Sequence, residues 1–410
     1  MITTSRGVAQ GWVLDNLLAL GGIDVLHPQI AGFFQEHGYA RSDVIEAFKN
    51  VHSAAMIPKG WGELGEALER KATSYRSHGY DDASANLFMR ASMAFARAQY
   101  SYFGDDPRRA GFAARARRCV DALSQINPTP IERVEAPFEG RKVITHLHLA
   151  AGAEPAPLVL LLPGMDMVKE EWIHVAQRHF VAQGFHAVAI EGPGQGETLT
   201  NGLKVTVDNY ERAVSAVIDT LIERREIDPD RIVLWGVSMG AYWGLRTAAH
   251  ERRLKAAGTT VGFYGDVSTL FKRAQPNFKR NFMYMAGYDD EDRFDREFVP
   301  KMALVDVVGD ITCPVLMGFG EFDELSGVSD ALKVFERIKA PKDLLHWEGE
   351  FHPLGGVMAE AIGAGRSWLK QALDGKLAKD RDFRAYIRRD GSMDVGTALP
   401  SWWPRIGGEG

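Results

Sequence analysis

The chain has 410 residues, 45% of them hydrophobic and 25% charged, with a net charge of −6. That length accommodates one large α/β domain with a smaller partner, and the composition is that of an ordinary globular protein. The acidic balance argues against nucleic acid or an anionic membrane surface as the main partner, and no apolar run approaches a membrane span.

The two cysteines, Cys119 and Cys313, stand far apart in no metal-like spacing, so two reduced, buried thiols are expected. The apolar stretch at 17–20 is short, lacks a basic flank and has Asp15 and Asp24 beside it, which is not a signal-peptide pattern. A cytoplasmic protein is the expectation.

Residues 1–130 read as helical. From Trp61 apolar residues recur at Leu64, Leu68, Ala72 and Tyr75; a second stripe runs through Phe88, Ala91, Phe95, Ala98 and Tyr102; a third takes Ala113, Ala116, Val120 and Leu123. Each spacing describes one face of an amphipathic helix. Stripe edges such as Leu87, Tyr100 and Phe103 widen the second face beyond one seam, so these helices are expected to cover another surface: the rest of the chain or a second copy. Asn127-Pro128-Thr129-Pro130 reads as the linker that ends the region.

From Ile131 the pattern becomes strands alternating with helices, which predicts a mostly parallel sheet flanked by helices over 131–374. Between 266 and 308 the alternation is interrupted by a segment rich in Phe, Met, Tyr and Arg, whose position predicts a cap above the carboxyl ends of the strands. Residues 375–410 read as a charged and then Pro/Trp/Gly-rich tail, with Trp402-Trp403 expected to dock on the body or on a partner.

Chemistry concentrates at Gly236-Val237-Ser238-Met239-Gly240, which follows the apolar run from Ile232 to Trp235 and precedes a helix-compatible segment. A strand turning sharply into a helix at Gly-x-Ser-x-Gly lifts a serine oxygen to the tip of the sheet. A serine hydroxyl needs a base, and the base needs an orienting carboxylate. Asp323 lies just past the strand ending in Gly318, and His352 follows the last predicted strand, in the order Ser, Asp, His. Glu321 and Glu350 are the rivals for the acid, with Asp323 preferred. Oxyanion donors are expected from the amide of Met239 and from Met165 or Asp166 in Pro163-Gly164-Met165-Asp166. Asp266 reads as the cap of a helix beginning at Val267, with an assisting carboxylate as its other reading.

Two further patterns point away from cofactors. The glycines in Glu191-Gly192-Pro193-Gly194-Gln195-Gly196-Glu197 lack dinucleotide-binding spacing, and a rigid turn at the sheet edge with no helix directly behind it is expected. His146 and His148 share one strand face but have no third ligand in sight, so a solvated face is expected rather than a metal site. No cofactor and no metal are expected.

With these motifs in place the chain resembles the α/β-hydrolase superfamily across roughly 131–374. More narrowly it is similar to the group of 2,6-dihydroxypseudooxynicotine hydrolase, the fungal yellowish-green polyketide-shortening hydrolases and the FrsA-like esterases. The residues that carry this are the run from Pro163 to Glu171, the run from Glu191 to Glu197, Gly236 to Gly240, and Cys313-Pro314-Val315-Leu316. The helical region before the hydrolase domain belongs to the same pattern. The resemblance implies Ser238, Asp323 and His352 as the triad, helices of 1–130 covering the site as a lid, and a homodimer. It also implies cleavage of a C–C bond next to a ketone, or of an ester, in a bulky and often aromatic small molecule. A carboxylic-ester hydrolase with the same triad is the alternative, and a non-catalytic receptor on the same fold is a third reading.

Overall fold

Helices fill the first third of the chain. In the computed structural model, which describes residues 2–25, 27–152 and 155–400, α1 (Ser5–Gly21), α2 (Ile30–Glu36) and α3 (Arg41–Phe48) precede three longer helices. These are α4 (Ile57–Ser77), α5 (Asp81–Tyr100) and α6 (Pro107–Ser124), which carry the three predicted stripes. Asp106 caps α6 through its side chain, with Pro107 at the first position, where a missing N–H costs nothing. Because α5 lies between its neighbours, it is buried on nearly every side, Leu87 and Phe95 included.

Among the described residues ten strands follow: β1 (Ile131–Phe138), β2 (Arg141–His148), β3 (Ala156–Leu162), β4 (His186–Glu191), β5 (Ile227–Ser238), β6 (Leu254–Gly262), β7 (Val315–Gly320), β8 (Lys342–Trp347), β9 (Asp382–Ile387) and β10 (Met393–Val395). They form one sheet in the order β1-β2-β4-β3-β5-β6-β7-β8-β9-β10. Pairings from β4 through β9 are parallel, while β1, β2 and β10 join antiparallel at the two ends. The strands β3 and β7 and the middle of β4, Ala187 to Ile190, are apolar and buried because both faces of the sheet are covered there.

The connecting helices are an irregular stretch over 169–183 containing α7 (Ile173–Val175), then α8 (Gly196–Thr200), α9 (Asn209–Leu221) and α10 (Met239–His250). The predicted cap contains α11 (Val267–Arg273), α12 (Pro276–Ala286) and α13 (Glu291–Glu297); α14 (Val328–Arg337) and α15 (Met358–Leu373) complete the set.

Two apolar clusters lie on opposite faces of the sheet. One joins Leu160, Leu234 and Met317 to α9, α10 and the cap aromatics Phe271, Phe282 and Phe294. The other runs without a break from Trp61 and Phe95 in the first helices to Trp235, Trp347 and Trp368. The helical region therefore shares a core with the sheet. Apolar burial on this scale is the dominant favourable term in folding, at ~25 cal/mol per Å².

Three expectations require correction. Residues 382–395, assigned to the tail, extend the sheet: β9 pairs parallel with β8, and Ala385, Tyr386 and Ile387 are buried there. His146 and His148 are not on a solvated face, because β2 lies between β1 and β4 and both imidazoles are buried. Burial pulls the His146 pKa well below the ordinary value and that of His148 to about 3, so both are neutral. The glycine-rich turn after β4 does open a helix, the five-residue α8, and β4 is an interior strand. Cys119 and Cys313 are both free and buried. Trp402 and Trp403 lie outside the described residues.

Candidate active site

The turn from β5 into α10 sets Ser238 in a conformation that side chains rarely adopt, with φ 53° and ψ −125°. The flanking glycines permit it. A Cβ on Gly236 would stand 2.3 Å from the carbonyl oxygen of Gly240, and one on Gly240 would stand 2.1 Å from that of Leu162. Strand, helix and the loop after β3 thus approach more closely than any side chain allows. Ser238 is the N-cap of α10, and its own carbonyl accepts from the Phe263 amide at 3.1 Å.

His352 Nε2 lies 2.9 Å from Ser238 Oγ, and His352 Nδ1 lies 2.9 Å from Asp323 Oδ2. The second oxygen of Asp323 accepts from the amides of Leu325 and Ser326 at 2.9 and 2.7 Å, which fixes the carboxylate. Burial opposes the imidazolium, but the charge and hydrogen bond of Asp323, with Glu324 and Asp166 further off, raise the His352 pKa above 6.5. Such a chain can move a proton from a serine hydroxyl to an imidazole and stabilise the resulting cation. The rivals for the acid are engaged elsewhere. Glu321 accepts from Gly349 N at 2.7 Å and from the Tyr386 hydroxyl at 2.9 Å, while Glu350 accepts from Gly356 N at 3.0 Å.

Gly164 places the loop after β3 against the serine: its Cβ, if present, would be 3.2 Å from that of Ser238. Gln195, from the turn after β4, donates to the Gly164 carbonyl at 2.9 Å and accepts from the Tyr210 hydroxyl at 2.7 Å and Gly192 N at 3.2 Å. With its carbonyl held in this way, the loop that carries Met165 and Asp166 lies against Ser238 at the start of α10. Cap residue Asn281 reaches the Met165 carbonyl at 3.4 Å. Asp266 is not part of this group; it caps α11, accepting from Ser268 N at 2.7 Å.

Several neighbours were not readable from motif or spacing. Arg97 of α5 donates to Asp166 Oδ2 at 2.9 Å and also pairs with Glu171. Burial would raise Asp166, yet the guanidinium beside it brings its pKa below the ordinary carboxylate value. Glu171 is buried more deeply, and burial outweighs Arg97, pushing its pKa up to about 7. His27 Nδ1 pairs with Glu324 Oε1 at 2.7 Å, and the other oxygen of Glu324 accepts the His352 amide at 3.1 Å. The His27 and His352 rings are 6.2 Å apart. For Glu324, burial raises the pKa but the His27 hydrogen bond and nearby positive charge bring it to about 2.

A cavity of about 430 Å³ opens between the first helices and the cap, with His27, Asp166, Phe34, Trp61, Phe278 and Arg280 among its walls. Its size and aromatic lining suit a small molecule. A larger cavity of about 890 Å³ is lined by Ser5, Asp266, Lys272 and Leu304 among others, and its walls include none of Ser238, Asp323 and His352. The walls of the smaller cavity include none of the three either, but they include His27, whose ring is 6.2 Å from that of His352, and Asp166, on the loop that approaches Ser238. Among the described residues no group of three or more His, Cys, Asp or Glu is arranged to hold a metal, and no helix is long and apolar enough to cross a membrane.

A family model described as esterase FrsA-like matches residues 55–288, from the first long helix into the cap. The chain belongs to this family. Among similar proteins is 2,6-dihydropseudooxynicotine hydrolase of Paenarthrobacter nicotinovorans, 29% identical over 269 residues, which cover 65% of this chain and 70% of that one. An α/β-hydrolase of Penicillium citrinum is 27% identical over 56% of each chain, so the match spans little more than half of that relative. The crystal structure of 2,6-dihydroxy-pseudo-oxynicotine hydrolase superposes with a TM-score of 0.75 at 25% identity, covering 85% of this chain and 97% of the other. The family and this superposition make the chain an α/β-hydrolase and a hydrolytic enzyme, with its helical region part of the shared architecture.

Proposed function

We propose that the chain is a cofactor-independent serine hydrolase that cleaves a C–C bond adjacent to a ketone in a bulky, aromatic small molecule. The observation that carries this reading is the hydrogen-bonded chain from Ser238 through His352 to Asp323 beside an aromatic cavity. Ser238 Oγ attacks the carbonyl carbon while His352 Nε2 takes its proton. The oxyanion faces the Met239 amide and those of Met165 and Asp166. Collapse breaks the C–C bond; its electron pair leaves on the departing carbon, delocalised into a second carbonyl or an acidic ring, and His352 returns the proton there. Water, deprotonated by His352, then releases the acyl group from Ser238 as a carboxylic acid. The similarity to a pseudooxynicotine hydrolase supports C–C cleavage.

The second reading is a carboxylic-ester hydrolase with the same three residues, supported by the family's description as esterases. It differs only in the leaving group, an alkoxide or phenoxide. Product analysis on matched β-diketones, aryl ketones and aryl esters separates the two. Turnover of the diketone or ketone to an acid and a shortened ketone or arene supports the first reading, and turnover of esters alone supports the second.

The helices of residues 1–130 act in this reading as a lid over the cavity. A homodimer is part of it too: α1 leaves Val8, Trp12, Leu17 and Leu20 exposed, apolar surface that a second copy would cover. Sedimentation of the wild type against Trp12→Glu tests this; a dimer that the substitution leaves intact places the interface elsewhere, and a monomer contradicts it.

A further inference from the structure

Three arginines line the cavity, Arg97, Arg108 and Arg280, and two of them are paired with carboxylates. Arg97 is paired with Asp166 and Glu171, and Arg108 with Asp106. Arg280, on the cap helix α12, has no carboxylate within ion-pair distance among the described residues, and its Nε is buried without a hydrogen-bond partner. The Phe103 ring centre lies 5.0 Å from its guanidinium carbon. Arg280 is half-buried, and an arginine stays charged at any physiological pH, so its guanidinium is available to an anion that enters the cavity.

The cavity gives that anion a place. Arg280 is in one wall and Asp166, on the loop beside Ser238, is in another, with Trp61, Phe103 and Phe278 also lining the space. We propose that Arg280 is an anion-binding residue and that the substrate is an aromatic compound bearing a carboxylate, or an equally acidic ring hydroxyl, whose charge rests on Arg280 while its reactive carbonyl faces Ser238. This deepens the serine-hydrolase reading and rests on it for the placement of the carbonyl. The aromatic rings hold the body of the molecule, and the guanidinium fork fixes its direction through charge-assisted hydrogen bonds, which are about twice as strong as neutral ones. Lysine in the same place would supply charge without the planar fork.

The test uses binding rather than turnover, so that its failure is separable from failure of the hydrolase reading. Ser238→Ala protein is titrated calorimetrically with 4-phenylbenzoate and with the neutral 4-phenylbenzamide. The acid is expected to bind at least about tenfold more tightly than the amide, as one charge-assisted pair implies. Adding Arg280→Met should abolish that preference while leaving amide affinity within about twofold, and Arg280→Lys should keep part of it. Circular dichroism establishes that each variant is folded, and a misfolded Arg280→Met protein leaves the Arg280→Lys comparison to decide. Equal affinity for acid and amide, no saturable binding of the acid, or a preference that survives loss of Arg280 overturns the proposal. The last result would place the anion at another cation, such as those of the larger cavity.

Discussion

Arg97 Nη1 and Asp166 Oδ2 are 2.9 Å apart, so a helix of the first 130 residues holds the loop that faces Ser238. The same guanidinium answers the buried carboxylate of Glu171, itself reached by the Tyr39 hydroxyl at 3.4 Å. Removing one partner of a buried ion pair leaves the other uncompensated, at about 3–5 kcal/mol. Arg97→Met should therefore lower the unfolding free energy by that order, seen as a lower urea midpoint, and reduce kcat/KM, since the loop loses its tether. An unchanged midpoint and unchanged kcat/KM would show that the pair neither stabilises the fold nor positions the loop.

With His352 as the proposed base, its titration should set the acid limb of the pH profile. As the base it must be neutral, and its pKa is raised above 6.5, chiefly by Asp323 against the effect of burial. Activity should thus fall as pH drops through a midpoint above 6.5. Glu324 has a pKa of about 2, so it is ionised throughout this range and adds to the same shift. Removing its charge makes the imidazolium less stable. Glu324→Gln should accordingly move the acid limb of log kcat/KM to lower pH, and a shift to higher pH would contradict the sign.

Gln195 acts through the backbone of another residue. Its side chain holds the Gly164 carbonyl and is held in turn by Tyr210. Direct removal of an oxyanion donor costs about 10²–10³ in kcat; loosening one should cost less, roughly tenfold. Gln195→Ala is expected to lower kcat by that amount with KM nearly unchanged. A change confined to KM would place Gln195 in substrate binding instead.

Glu321 and Asp323 are separated by their partners. Glu321 joins the β7 end to the Gly349 amide and to Tyr386 on β9, whereas Asp323 faces His352. Asp323→Asn should reduce kcat by about 10⁴ with little loss of stability, by favouring the wrong imidazole tautomer. Glu321→Gln should lower the melting temperature and leave kcat within a few-fold. The reverse pattern would exchange their roles.

The elbow was legible because an apolar strand, two glycines and a serine must occur together for the turn to form. Asp323 and His352 were legible because their positions just past strand ends are the only places from which loops reach the serine. Arg97 was not. It sits within an apolar helical stripe between Phe95 and Ala98, where a charge reads as an edge position, and its partners come from a loop distant in sequence. His27 and Gln195 were hidden for the same reason: each gains its role from a tertiary contact that no local pattern encodes. The strands β9 and β10 were missed because Asp382, Arg384, Arg388 and Asp394 pair along the sheet end and give that segment the composition of a tail. His146 and His148 misled in the other direction, since polar side chains at alternate positions look solvated until both neighbouring strands are known.

The central claim is that Ser238 is the nucleophile. It is tested most directly by treating the intact protein with a fluorophosphonate and locating the adduct by peptide mass spectrometry. A single stoichiometric adduct on Ser238 is predicted. It should be lost in Ser238→Ala, which folds normally and loses on the order of 10⁶ in turnover, and be strongly slowed in His352→Ala. A protein that leaves Ser238 unmodified, or a Ser238→Ala variant that keeps a tenth of wild-type activity, would contradict the account.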